Sequence, residues 1–123
     1  NRAISVDGNF HLAYNNRGVV QLNQGRLDDA IKDFSKALQV QSDYAPAATN
    51  LSGVYFRKKE YQKALEFANN AISMDANSPA SYVNRGMAKE MLRDMESACD
   101  DWQKAKELGS ETGKNYYAGN CGN

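Results

Sequence analysis

Residues 13–38 read AYNNRGVVQLNQGRLDDAIKDFSKAL, and residues 81–106 read SYVNRGMAKEMLRDMESACDDWQKAK. Laid side by side without a gap, the two stretches share a tyrosine, an Asn-Arg-Gly triplet, an aspartate and three other positions, and a related copy lies midway between them. Ala30, Ala64 and Ala98 stand 34 residues apart, as do Ala37, Ala71 and Ala105, and as do Asn16, Asn50 and Asn84. Gly18, Ser52 and Gly86 repeat in the same phase. A fixed period of this length marks a stacked-repeat architecture, and it divides the chain into units at residues 11–44, 45–78 and 79–112.

Each unit splits into two amphipathic stretches of about 14 residues with a short break, which predicts two helices per unit. Gly25-Arg26 is the first such break, where glycine accepts the left-handed backbone of a tight turn. Asp28, Asp29, Asp94 and Glu96 fall at the starts of second helices and Lys36, Lys104 and Lys106 towards their ends, both favourable to the helix dipole. Pro46 and Pro79 fall in opening turns, where a missing N–H costs nothing. Ser78 is the expected N-cap before Pro79. The period and its small residues resemble the tetratricopeptide repeat. Small side chains stand at repeat positions 8, 20 and 27, with aromatics at position 4 (Tyr14, Tyr82) and position 24 (Phe34, Trp102). Position 32, usually proline in the family, is Ser42, Ala76 and Ser110 here. The resemblance implies an all-α fold: tandem helix-turn-helix hairpins stacked as a right-handed α-solenoid. Such a scaffold binds another protein or peptide, without cofactor or catalysis.

Repeats one and three carry Arg17 with Asp33 and Arg85 with Asp101, at positions 7 and 23. Repeat two replaces both together, with Leu51 and Phe67. Joint replacement of a charged pair by an apolar pair predicts that these positions touch across each hairpin, as a structural contact.

At the left end, residues 3–7 match residues 71–75 in repeat phase. Residues 1–10 therefore read as the end of a preceding repeat's second helix, in a longer array whose exposed repeat face could self-associate. At the right end, residues 113–123 read as a capping segment, its helix beginning near Glu111 with Tyr116 and Tyr117 as the buried face. Cys99 lies eleven residues before Ser110 and Cys121 eleven after it. A tail folded back antiparallel brings both to a similar height, so they either form a disulfide or remain a buried thiol and a frayed one. A bridge would favour an extracytoplasmic location. The Cys-x-x-Trp run with a late cysteine resembles the ends of some bacterial tetratricopeptide proteins.

Composition narrows the function. Fifteen basic and fifteen acidic side chains balance to +0, without the basic excess of a nucleic-acid binder. Mean hydropathy is -0.72, and no apolar run reaches the roughly 20 residues of a membrane span. The lone histidine, His11, has no Cys or His at ligand spacing, and neither a phosphate loop nor a nucleophile motif occurs. Asn50-Leu51-Ser52 matches a glycosylation acceptor but falls within a predicted helix.

In the tetratricopeptide family the first helix of each hairpin lines a concave groove, and position 6 faces into it. The resemblance thus implies a ladder of Asn16, Asn50 and Asn84, similar to that of the O-linked N-acetylglucosamine transferase repeats. A carboxamide both donates and accepts, so such a ladder can hold an extended peptide by its backbone. The alternative is a solvated, idle asparagine habit of one repeat subtype. Flanking positions supply Asn15, Val19, Leu22 and Asn23, then Thr49, Gly53, Phe56 and Arg57, then Val83, Met87, Glu90 and Met91. The wall is largely uncharged. The family's chaperone-carboxylate clamp needs Lys and Arg, and only Asn50 matches it. Asn15, Val19, Ala80 and Asn84 stand at its other positions, so a chaperone co-factor role is not expected. The second function class is an assembly module that uses its open end or convex face.

Overall fold

A computed structural model describes residues 10–121, so the match between residues 3–7 and 71–75 lies outside the described residues. Among the described residues, seven helices follow one another: α1 (Phe10–Asn23), α2 (Leu27–Val40), α3 (Ala45–Arg57), α4 (Tyr61–Met74), α5 (Pro79–Met91), α6 (Met95–Glu107) and α7 (Glu111–Asn120). Three hairpins, α1–α2, α3–α4 and α5–α6, stack in chain order, and α7 packs on α6 and α5. First helices touch along the stack (α1 on α3, α3 on α5, α5 on α7), whereas α2, α4 and α6 do not touch one another. Elements that meet on one side and separate on the other make a curved stack, with the first helices on its inner face. The chain is an all-α helical-repeat solenoid.

Close approach within hairpins explains the small-residue series. Ala30, Ala37, Ala64, Ala71, Ala98 and Ala105 are fully buried. A β-carbon on Gly18 would lie 2.6 Å from the Phe34 ring. Positions 7, 8, 23 and 24 change as a set. Where 8 is glycine, 24 is the buried Phe34 or Trp102, and the ion pair occupies 7 and 23. In repeat two, Ser52 donates to the Ala64 carbonyl at 2.8 Å beside the small Ala68. The aromatic has moved to Phe67, which stacks on Tyr55 at 5.5 Å and joins the cluster around Leu51.

Arg17 Nε and Nη2 donate to Asp33 at 2.6 and 2.9 Å, and Arg85 makes the same fork with Asp101 at 2.9 and 2.7 Å. Both carboxylates are only 3% exposed, and Lys89 Nζ adds a contact to Asp101 at 3.0 Å. Hydrogen bonding to these carboxylates raises both guanidinium pKa values above the usual range. A raised folded-state value leaves the stabilisation complete at lower pH and removes it only as pH rises through the arginine range. The pairs are therefore constant across neutral pH.

The hairpin turns share one geometry. Gly25, Lys59 and Arg93 all have positive φ, of 79°, 66° and 69°. Each precedes a residue whose N–H closes on the previous helix, as Arg26 does on Gln21 at 2.8 Å. Gly109 (φ 97°) builds the same turn between α6 and α7, with Ser110 N–H bonding Ala105 at 2.9 Å. The connection before α7 is therefore a hairpin turn and not the extended linker found at Gln41 and Asp75.

Two local expectations need correction. Ser78 holds the N-cap position of α5, but its side chain makes no capping bond; Asp94 and Ser110 do cap, to Ser97 and Gly113. On α7 the buried residue is Gly113, because a β-carbon there would lie 2.6 Å from that of Ala105. Tyr116 and Tyr117 are only half-buried. Tyr116 stacks on Trp102 at 5.1 Å, and Lys106 lies over the Tyr117 ring. Cys99 and Cys121 form a disulfide, Cα–Cα 5.8 Å, that fastens the end of α7 to α6.

Candidate peptide groove on the concave face

Two clefts open on the inner face, one repeat apart. The first, of 230 Å³, lies between α3 and α5 and is lined by Ala45, Pro46, Thr49, Asn50, Asp75, Ser78 and Ala80. The second, of 270 Å³, lies between α5 and α7 and is lined by Pro79, Ala80, Val83, Asn84, Ser110 and Thr112. Repeat positions 1, 2, 5 and 6 supply the same wall in both. The second and third repeats thus each line a cleft with their position-6 asparagine, Asn50 in one and Asn84 in the other.

These asparagines are already tethered. Asn50 Nδ2 donates to Asn15 Oδ1 at 3.1 Å, and Asn84 Nδ2 donates to the Thr49 carbonyl at 3.2 Å. Both bonds run from position 6 of one repeat to position 5 of the repeat before it. Thr49 is itself tied, its hydroxyl 2.9 Å from that of the buried Ser81. A carboxamide has two N–H groups and one acceptor oxygen, so each asparagine keeps one donor and its Oδ1. Asn16 is exposed on α1. The side chains named from sequence thus divide between groove and joints between repeats.

The flanking residues divide similarly. Asn15, 7% exposed, is withdrawn from the surface and is joined to the first cleft's lining by its bond from Asn50. Val83, also 7% exposed, floors the second cleft, and its carbonyl receives the Trp102 indole N–H at 3.4 Å. Val19 packs against the first core cluster and Met87 against the second. Phe56 turns edge-on to Tyr61 at 5.3 Å, and Arg57 donates to the Leu22 carbonyl at 3.3 Å, another inter-repeat link. Asn23 and Met91 are exposed at the ends of α1 and α5. Sequence reasoning missed Asp75, Ser78, Ser110 and Thr112, because they lie on inter-repeat connections and the cap, outside the positions counted along first helices.

Among the described residues, Asp75 is the one charged residue lining either cleft. No group of three or more His, Cys, Asp or Glu among the described residues is placed to hold a metal, and no described helix is long and apolar enough to cross a membrane. What the clefts offer is paired hydrogen-bonding groups at a regular step, in a largely neutral wall.

Comparison with known proteins adds three findings. The family description "Tetratricopeptide repeat" matches residues 11–44 and again residues 45–78. The RNA polymerase II-associated protein 3 of Xenopus tropicalis is 30% identical over 105 residues, 85% of this chain and 16% of that protein. The TPR repeat-containing thioredoxin TDX of Arabidopsis thaliana is 32% identical over 87 residues, 71% of this chain and 23% of that protein. The chain thus spans less than a quarter of either relative. These sources give no support to the bacterial origin suggested by the Cys-x-x-Trp run. Among solved structures, the first TPR of Spaghetti (RPAP3) bound to HSP90 peptide SRMEEVD superposes with a TM-score of 0.86 at 26% identity, covering 93% of this chain and 92% of that one. The second TPR of human RPAP3, solved in complex with HSP70 peptide SGPTIEEVD, shares the fold at 19% identity and a TM-score of 0.81.

Proposed function

The chain belongs to the tetratricopeptide repeat family, and from that premise we propose that it is a protein-interaction module holding an extended, largely uncharged peptide segment across its concave clefts. The observation that carries this reading is the pair of period-related clefts, each with a tethered asparagine that keeps hydrogen-bonding groups free. Such groups pair with backbone amides, which every peptide has, so recognition depends on an extended backbone more than on side chains.

The peptide in the similar Spaghetti structure, SRMEEVD, is acidic towards its C-terminus. An acidic segment needs cations opposite it. Two like charges 4 Å apart in water cost about 1 kcal/mol, and an ion pair gains about as much. Among the described residues, the clefts of this chain present Asp75 and no Lys or Arg. The same scaffold is thus fitted to a neutral segment, and the Cys99–Cys121 bridge suits an oxidising, extracytoplasmic setting.

Selection from a randomised heptapeptide library tests the proposal. It should return extended, uncharged peptides that bind more tightly than SRMEEVD and lose affinity when Asn16, Asn50 and Asn84 become alanine. Selected peptides ending in acidic residues, or binding unchanged by the triple replacement, would refute it. A second reading is end-on assembly. It is favoured by Val20, which is 53% exposed although Val54 and Ala88, at the same repeat position, are fully buried. Concentration-dependent mass by sedimentation, abolished by Val20→Lys, would support that reading.

A further inference from the structure

We infer that Asn15 is a positioning residue that turns the acceptor oxygen of Asn50 towards the first cleft, and that both clefts thereby take backbone N–H donors of one extended peptide. This rests on the peptide-groove reading above. A terminal carboxamide rotates between two nearly equivalent orientations, so its neighbours decide which end faces the ligand. At Asn84 the choice is forced. Its partner is the Thr49 backbone carbonyl, which can only accept, so Asn84 spends an N–H there and directs Oδ1 away from it. At Asn50 the partner is another carboxamide, which could donate or accept, and Asn15 accepts. Asn15 thus reproduces with a side chain what the main chain does one repeat later, and the two clefts present their acceptors in the same sense.

The buried setting gives Asn15 this influence. It is 7% exposed, so solvent does not exchange freely with the Asn50 bond, and loss of its oxygen leaves Asn50 to turn either way. The joint also links hairpins, because Asn15 lies on α1 and Asn50 on α3. Recognition in the second repeat therefore depends on a residue of the first that never touches the peptide.

The experiment measures binding of the library-selected heptapeptide by fluorescence anisotropy to the unmodified chain and to Asn15→Asp, Asn15→Leu and Asn50→Ala variants, with melting temperature and side-chain amide NMR spectra recorded for each. Aspartate can only accept from Asn50, so Asn15→Asp should keep affinity within about twofold. Asn15→Leu, similar in volume but with no acceptor, should weaken it about fivefold, the worth of one neutral hydrogen bond. It should also shift the Asn50 side-chain amide signals. Asn15→Ala repeats the test if Asn15→Leu does not fold. Methylating the peptide's backbone nitrogens one at a time should weaken binding at two sites only. Asn15→Leu or Asn15→Ala binding like the unmodified chain, while Asn50→Ala binds weakly, overturns the inference and leaves the groove reading intact. Equal losses in Asn15→Asp and Asn15→Leu also overturn it, since they mark a purely structural role. Unchanged binding in Asn50→Ala overturns the groove reading itself.

Discussion

The indole of Trp102 occupies the space that a β-carbon on Gly86 would need. The two residues sit on opposite helices of the third hairpin, so the glycine sets how closely α5 and α6 approach. Gly86→Ala gains about 1 kcal/mol of helix propensity but forces the fully buried indole to move. Overpacking of this kind costs about 1–3 kcal/mol, so the net effect should be destabilising, read as a lowered urea midpoint. Gly25→Ala should also destabilise, by about 1 kcal/mol, but through backbone strain, since nothing lies near its missing side chain.

Lys59 and Arg93 adopt the backbone that Gly25 adopts in the first hairpin. A left-handed conformation costs a side-chain-bearing residue roughly 1 kcal/mol that glycine avoids. Lys59→Gly and Arg93→Gly should therefore each raise stability by a few tenths to about 1 kcal/mol, after the flexibility glycine adds to the unfolded chain. Lower melting temperatures in both variants would contradict this account of the turns.

The buried carboxylates differ in company. Asp101 receives Arg85 and Lys89, whereas Asp33 receives Arg17, which is half exposed. Asp101→Asn leaves two cations without their anion; Asp33→Asn leaves one that water can reach. Each should cost roughly 1–3 kcal/mol, with Asp101→Asn the larger, measured by chemical denaturation.

Sequence periodicity makes most of this scaffold legible, for identifiable reasons. The 34-residue phase places Ala30, Ala64 and Ala98 at equivalent helix crossings, where burial leaves little choice of residue. Replacement of Arg17 and Asp33 by Leu51 and Phe67 in the next repeat points to contact across a hairpin, because a buried charge cannot lose its partner cheaply. Equal spacing of Cys99 and Cys121 about Ser110 places them level, and the structure joins them. The turn at Lys59 and Arg93 gives no such signal, since neither residue type announces positive φ. The asparagine tethers are also silent in sequence. They form where successive first helices lie side by side, so that position 6 of one repeat meets position 5 of the repeat before it, at the Asn15 side chain in one joint and at the Thr49 carbonyl in the next.

Reduction of the disulfide should act chiefly on the cap. The bridge closes a loop with a sequence separation of 22, for which chain entropy predicts about 3 kcal/mol of stabilisation. A reductant should lower the melting temperature and first expose amide hydrogens of α7, as Tyr116 parts from Trp102. Because Ser110 and Thr112 line the second cleft, peptide affinity should fall as well. Unchanged exchange in α7 after complete reduction would show that packing of Gly113 on Ala105 suffices to hold it.

The central claim is that the position-6 asparagines of the first helices, Asn50 and Asn84 tethered and Asn16 exposed, hold a peptide. It is tested most directly by isothermal titration of the library-selected neutral heptapeptide against the unmodified chain and the Asn16→Ala, Asn50→Ala, Asn84→Ala triple variant, each with its melting temperature. The account predicts a loss of at least tenfold in affinity in a variant that remains folded, because two or more hydrogen bonds of about 1 kcal/mol each are removed. Equal affinities in two folded proteins would contradict it.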